Sequence, residues 1–210
     1  MQDQKRIYNY CENHSSPPGE VLQELERETN LKTLAPQMLT GHIQGQLLSL
    51  ISGWIRPLSI LEIGTFTGYG TICLAKGLKK EGVIHTIEVN QELTYISQKY
   101  FRKAGIETKI RHYIGDAAEV IPQINDVFDI VYLDAGKQEY GLHYDLVLPK
   151  LRKGGIIIAD NVLWGGKVGT MVKDKDTSTI ESFNSKIQND DRVHNLLLPI
   201  RDGLMIVTKK

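Results

Sequence analysis

From residue 59 onward, short apolar runs suited to buried strands alternate with amphipathic stretches. That alternation restricts the chain to a mostly parallel sheet covered by helices on both faces. The spacing predicts strands over 59–63, 82–89, 108–114, 128–133, 155–159, 193–199 and 204–208. Helices are expected to start near Gly68, Gln91, Ala117 and Tyr140, with a fifth over 177–188, and Asn90 is a good N-cap for the second of them. The last two strands are separated by Ile200-Arg201-Asp202-Gly203, whose Asp-Gly is a hairpin signal, so the final strand runs antiparallel to its partner. Residues 1–55 have no strand pattern and read as helices interrupted at Ser15-Ser16-Pro17-Pro18-Gly19. This segment is too short and too unevenly apolar for a core of its own. The expectation is one domain over 1–210, in which a helical N-terminal appendage packs on an α/β core at 56–210, a doubly wound seven-stranded sheet.

A chain of 210 residues, 41% hydrophobic, suits a single well-buried core. Lys+Arg and Asp+Glu both number 25, so no global field favours nucleic acid or an anionic membrane. Cys11 and Cys73 are too few for a disulfide framework, and Cys73 lies in an apolar helical stretch as a reduced core thiol would. Nothing near residue 1 resembles a signal peptide and no run reaches transmembrane length, so a soluble, cytoplasmic protein is expected.

Two predicted strand ends carry oxygen-bearing side chains: Asp134 after Val131-Tyr132-Leu133, and Asp160-Asn161 after Ile156-Ile157-Ile158-Ala159. Two carboxylates and an amide oxygen suit a hard divalent cation such as Mg²⁺, Mn²⁺ or Ca²⁺, whereas zinc favours His or Cys. Three protein ligands leave coordination positions open for a substrate oxygen. Lys137 follows Asp134 by three residues. Gly165-Gly166-Lys167-Val168-Gly169 and then Lys173-Asp174-Lys175-Asp176 read as a flexible polar loop, either a lid or a plain solvated connection.

Where the first strand turns into a helix the chain reads Leu61-Glu62-Ile63-Gly64-Thr65-Phe66-Thr67-Gly68-Tyr69-Gly70. Glycines there let backbone approach a ligand, and a helix N-terminus offers free N–H groups. The dinucleotide fingerprint needs a second glycine where this chain has Phe66, which points to a nucleoside-like ligand without pyrophosphate. Glu88 ends the next strand, as an acidic residue does when it accepts from both ribose hydroxyls. Gly115-Asp116-Ala117 ends the third, with side chains small enough to admit an adenine ring.

Together with Met38-Leu39-Thr40-Gly41, Gly45-Gln46 and Asp160-Asn161-Val162-Leu163-Trp164-Gly165-Gly166, these motifs resemble the metal-dependent O-methyltransferases of the catechol and caffeoyl-CoA type. The resemblance covers roughly residues 35–208 and implies a Rossmann-like fold, S-adenosylmethionine as methyl donor, a divalent metal, and a small ortho-dihydroxy acceptor. Carried onto this sequence, it assigns donor binding to Thr40, Glu62, Gly64, Thr65, Phe66, Gly68, Tyr69, Gly70, Glu88, Asp116, Ala117 and Asp134. Metal binding falls to Asp134, Asp160 and Asn161, and catalysis to Lys137 and Asp134. Lys137 acts as general base if nearby positive charge depresses its pKa, while the metal stabilises the phenolate.

Gly136, Gly165 and Gly70 depart from the residues usual in the family, which weighs against an acyl-CoA acceptor. Trp164, Tyr140 and Tyr144 suit either the walls of an aromatic site or packing, and His42 and His143 read as ordinary polar surface. Many relatives are homodimers, and Leu47, Leu48, Leu50 and Ile51 are candidates either to face a partner or to pack on their own sheet. Methylation of a hydroxylated uridine in tRNA is the alternative acceptor, disfavoured by the neutral charge. A nicotinamide-dependent oxidoreductase is disfavoured by Phe66, and a non-catalytic nucleoside-binding module leaves Asp134, Lys137, Asp160 and Asn161 without a role.

Overall fold

The computed structural model describes residues 2–171 and 174–210, with side chains from residue 6 onward. The chain begins with α1 (Gln2–Asn13), α2 (Glu20–Lys32) and α3 (His42–Ile55). There follow β1 (Ser59–Ile63), α4 (Tyr69–Ala75), β2 (Val83–Glu88), α5 (Thr94–Lys103), β3 (Ile110–Ile114), α6 (Ala117–Val120) and β4 (Phe128–Leu133). It ends with α7 (Tyr140–Val147), β5 (Leu151–Asp160), α8 (Lys175–Gln188), β6 (Val193–Leu198) and β7 (Leu204–Lys209). The strands form one seven-stranded sheet in the order β3-β2-β1-β4-β5-β7-β6. β1 to β5 pair in parallel, whereas β7 is antiparallel to both β5 and β6. The chain steps outward from β1 through β2 to β3, then returns across β1 to β4. This Rossmann-like order puts a switch point between β1 and β4, where such sheets bind ligands.

Strand residues alternate between two buried layers, as the two-residue period of a strand requires. Leu61, Ile63, Val131, Leu133 and Ile157 pack under α6, α7 and α8. Ile60, Ile130 and Ile158 face the other way, toward α2, α3, α4 and α5. Each such side chain, fully buried, contributes roughly 1.5–3 kcal/mol. The same parity puts Glu62, Tyr132 and Asp160 on the second face, where Tyr132 and Asp160 meet in the site.

The N-terminal helices are part of this second layer. Leu22 and Leu25 of α2 and Leu48 and Ile51 of α3 share a core with Ile60, Tyr69 and Ile72. Of the two alternatives left open for these residues, packing on their own sheet holds for Leu48 and Ile51, because their three-residue spacing puts them on one helix face and that face meets the sheet. Leu47 packs at the margin of the same core. Of the four, only Leu50 is mainly exposed, at 52%.

Several element boundaries differ from the pattern-based ones. β5 starts at Leu151 rather than near 155: Leu151 pairs with Phe128, and an irregularity between Phe128 and Ile130 absorbs the register shift. β3 starts later because Glu107–Lys109 forms a 3₁₀ turn. Asn90 caps a 3₁₀ turn over Gln91–Leu93, its side chain accepting from the Glu92 N–H at 2.9 Å, and α5 continues from it. In the polar loop beyond Asn161, Lys173 lies outside the described residues. The rest is tethered: Lys167 pairs with Asp174 at 2.7 Å, the Gly169 N–H donates to Glu181 at 2.8 Å, and the Gly165 N–H donates to Asp202. Among the described residues, no helix is long and apolar enough to cross a membrane.

Candidate active site

The C-terminal ends of β1 to β5 open into a cavity of about 970 Å³ that spans the switch point. Gly64 is what lets β1 and β4 end side by side. Its φ is +101°, and a Cβ there would lie 2.0 Å from the carbonyl oxygen of Asp134, so no other residue fits without moving that backbone. The Asp134 N–H in turn donates to the Ile63 carbonyl at 2.8 Å. The glycine therefore serves the junction of two strands at least as directly as it serves a ligand.

At one end of the cavity stand Asp134, Lys137, Asp160 and Asn161. Tyr132, two residues before Asp134 and on the same strand face, sends its hydroxyl toward both carboxylates, at 3.2 Å from Asp160 Oδ2 and 3.4 Å from Asp134 Oδ2. Gln44 Nε2 donates to Asp160 Oδ2 at 2.6 Å and to the Tyr132 hydroxyl at 2.8 Å. Asp160 Oδ1 accepts from the Asn161 N–H at 2.7 Å, and Asn161 itself takes a left-handed φ of +57°. Burial raises the Asp134 carboxyl to about 6; Lys137 pulls it down and the facing Asp160 pushes it up. Two acidic groups held this close in a low-dielectric pocket gain from any cation placed between them. The donors are all oxygen, so the set fits a hard divalent ion.

Lys137 is not on the surface, with only 12% of its side chain exposed. Nζ donates to the Tyr140 hydroxyl at 2.6 Å and lies 3.3 Å from Asp134 Oδ1. The Tyr140 hydroxyl is fixed by the Leu133 and Asp160 carbonyls, each at 3.1 Å. Burial raises the Tyr132 and Tyr140 hydroxyls well above the usual phenol range, so both remain protonated donors. Tyr140 and Tyr144 are 0% exposed and belong to the core, and of the three aromatics only Trp164 lines the cavity.

The cavity is lined elsewhere by Gly64, Phe66, Glu88, Asp116 and Ala117. Glu88 is 8% exposed, and its carboxylate accepts from the Phe66 N–H at 2.7 Å and the Asn90 N–H at 2.9 Å. Those bonds hold Phe66 at a left-handed φ of +48° and still leave a lone pair on each oxygen for a ligand. Asp116 caps α6, with Oδ1 accepting from the Ala118 N–H at 2.7 Å, and Oδ2 is left free for other partners.

Six further residues singled out in the sequence do not line the cavity: Thr40, Glu62, Thr65, Gly68, Tyr69 and Gly70. Glu62 is buried and accepts from Thr86 at 2.6 Å and from Thr71; burial pushes its carboxyl up to about 8. Thr65 bonds Thr86 at 2.6 Å, and Tyr69 packs in the core. A Cβ on Gly68 would strike Phe101 at 2.7 Å, and one on Gly70 would lie 2.7 Å from Glu62 Oε1. The space a side chain at 70 would need is taken by the glutamate.

His42 Nε2 donates to the Ser16 carbonyl at 2.7 Å. His143, expected at the surface, is instead buried, because α7 turns it toward the cavity wall. Other wall residues carried no usable sequence signal. Arg201 and Asp202, at the tip of the β6–β7 hairpin, reach the cavity, and Arg201 Nη1 donates to the Leu39 carbonyl at 3.0 Å and to the Thr40 carbonyl. Gln44 could be found only by tertiary contact, whereas Tyr132 was available from its two-residue spacing to Asp134.

A Rossmann-like sheet with a cavity at its switch point is the architecture of an α/β ligand-binding enzyme. The profile of the O-methyltransferase family matches residues 12–210, and the chain belongs to that family. It is 32% identical over 216 residues to probable caffeoyl-CoA O-methyltransferase 2 of Dictyostelium discoideum, covering 100% of this chain and 94% of that protein. It is 34% identical over 137 residues to the catechol O-methyltransferase of Niastella koreensis, covering 63% of this chain and 62% of that one. Among solved structures, an O-methyltransferase from Bacillus cereus in complex with SAH superposes with a TM-score of 0.90 at 26% identity, covering 98% of this chain and 97% of that one.

Proposed function

We propose that this enzyme transfers a methyl group from S-adenosylmethionine to one hydroxyl of a small acceptor carrying two neighbouring oxygens, and that it needs a divalent cation, Mg²⁺ first among the candidates. The observation that carries this is the pairing, in one cavity, of Glu88 and Asp116 with the converging carboxylates of Asp134 and Asp160 beside Lys137. The complex of the Bacillus cereus relative with SAH, the donor after loss of its methyl group, supports the nucleoside assignment.

The donor supplies the methyl group. A cation held by Asp134, Asp160 and Asn161 supplies positive charge that stabilises the ionised acceptor oxygen. The chain's own residues do the rest. Glu88 would hold the donor's ribose hydroxyls with its remaining lone pairs, and Asp116 would hold its base. Tyr132 and Gln44 fix Asp160, and Tyr140 fixes Lys137 Nζ, which takes the proton of the acceptor hydroxyl. Holding donor and acceptor at near-contact distance replaces a bimolecular encounter with an oriented one. Trp164, Leu34 and Met38 offer apolar surface at the cavity wall for an aromatic acceptor. Arg201 ties the N-terminal segment over this wall, so the helices of 1–55 form part of the site in a single domain with 56–210.

The test is turnover of methyl-labelled donor against a panel of catechols, singly hydroxylated phenols and total RNA with Mg²⁺ present. Label on the catechols alone is expected. Label on RNA alone would move the acceptor to a hydroxylated base, and label on the single phenols would remove the need for two oxygens.

A further inference from the structure

In the wall of the same cavity, three ligating side chains other than Asp134, Asp160 and Asn161 converge. Asp116 caps α6, Glu139 immediately precedes α7, and His143 lies one turn into α7. One carboxylate oxygen from each acid and one ring nitrogen lie within 4.8 Å of one another. Two exposed acids would say nothing by themselves. His143 is the second observation: its side chain is 1% exposed, and neither ring nitrogen has a hydrogen-bond partner among the described residues. Nε2 is 3.9 Å from Glu139 Oε2, too far for a hydrogen bond but close enough for both to reach one ion. Burial lowers the imidazole's pKa, against the pull of Glu139 and Asp116, so the neutral, ligating form prevails at neutral pH.

We propose that Asp116, Glu139 and His143 form a second divalent-cation site, of mixed nitrogen and oxygen chemistry, that takes a transition ion such as Zn²⁺ and whose occupation excludes the nucleoside. An imidazole ligand suits zinc and is avoided by Mg²⁺, so the two sites differ in selectivity. Tetrahedral zinc bonds to such ligands are about 2.0–2.2 Å, which puts ligand atoms roughly 3.3–3.6 Å apart. The present spacing closes by at most about 1.5 Å, within the swing of the exposed Asp116 and Glu139 side chains. Three protein ligands leave a position for water. Exclusion of the nucleoside rests on the assignment of Asp116 and Ala117 to the base under the proposed function; the cation site itself does not.

Zinc calorimetry on the full chain under saturating Mg²⁺ tests this, with wild type, Glu139→Gln and His143→Gln compared. The exposed Glu139→Gln keeps the test valid if the buried substitution perturbs folding, which thermal melts will show. Wild type is expected to bind one Zn²⁺ that Mg²⁺ does not displace, at least tenfold more weakly in both variants. S-adenosylhomocysteine should bind wild type at least tenfold more weakly once that ion is in place, with no such loss in Glu139→Gln. Absence of a Mg²⁺-resistant Zn²⁺, or equal affinity in wild type and Glu139→Gln, would overturn the site. Zinc bound with unchanged nucleoside affinity would overturn the exclusion. If S-adenosylhomocysteine fails to bind the zinc-free protein, the nucleoside assignment falls and the cation site stands.

Discussion

Lys137 is held from two sides, by the Tyr140 hydroxyl at 2.6 Å and the Asp134 carboxylate at 3.3 Å, and both contacts aim its amine into the cavity. If it is the base, Lys137→Ala should lower turnover by the roughly hundred- to ten-thousand-fold typical of losing general-base assistance, with little change in donor or cation binding. Raising the pH should partly rescue the variant, and acceptors with more acidic hydroxyls should suffer less. A small ratio of wild-type to variant turnover, flat across acceptors of falling pKa, would assign proton removal to solvent instead. Glu88 bears on the donor. Glu88→Ala removes charge-assisted bonds worth about 1.5–3 kcal/mol each, so S-adenosylmethionine affinity should fall by at least about tenfold per bond lost. Because the same carboxylate holds the Phe66 and Asn90 N–H groups, part of that loss comes through the loop, and Glu88→Gln should lose less. Unchanged affinity by calorimetry would remove Glu88 from the donor site.

At the scale of elements, α2 is fastened to α5 through Glu28, which accepts from Lys32 at 2.8 Å, from the Tyr100 hydroxyl at 2.8 Å, and from Lys99. These bonds, Lys32 first and then Lys99, hold its carboxyl at about 2, against an ordinary value of 4.5. A depressed carboxylate stabilises the fold above its unfolded pKa and loses that contribution as pH falls through the folded one. Glu28→Gln should therefore melt lower than wild type at pH 7, by about 1 kcal/mol after allowing for solvent screening. The gap should close between about pH 5 and about pH 2, and a constant gap in thermal melts across that range would show that the ion pair is not responsible. Such cross-element ties explain what sequence patterning left open. Periodicity located every strand because burial on both faces demands apolar runs, and Asp202-Gly203 marked the final hairpin. It missed the early start of β5, since the Gly154-Gly155 pair resembles a turn until β4 pairs beside it. It also left α3 undecided, because an apolar helix face looks the same from sequence whether it meets its own sheet or a partner.

In the whole molecule, the site exists because the switch point brings together strand ends far apart in sequence. Asp134, Asp160, Glu88 and Asp116 were legible because each follows a recognisable strand and carries a polar group where the strand ends. Gln44, Arg201 and the burial of His143 were not, since their placement depends on how α3, the β6–β7 hairpin and α7 close over those ends. Gly68 and Gly70 answer to Phe101 and Glu62 rather than to the cavity, so glycine spacing alone does not separate ligand clearance from core packing. The central claim concerns two functions of one cavity, donor binding and cation-dependent transfer, and one measurement separates them. Donor affinity by calorimetry and methyl transfer to a catechol should both be followed in the same sample, with chelator and then with Mg²⁺ or Mn²⁺ restored. The expected result is donor binding that largely persists in chelator while transfer vanishes and returns with the ion; full transfer in the chelated enzyme would contradict the account.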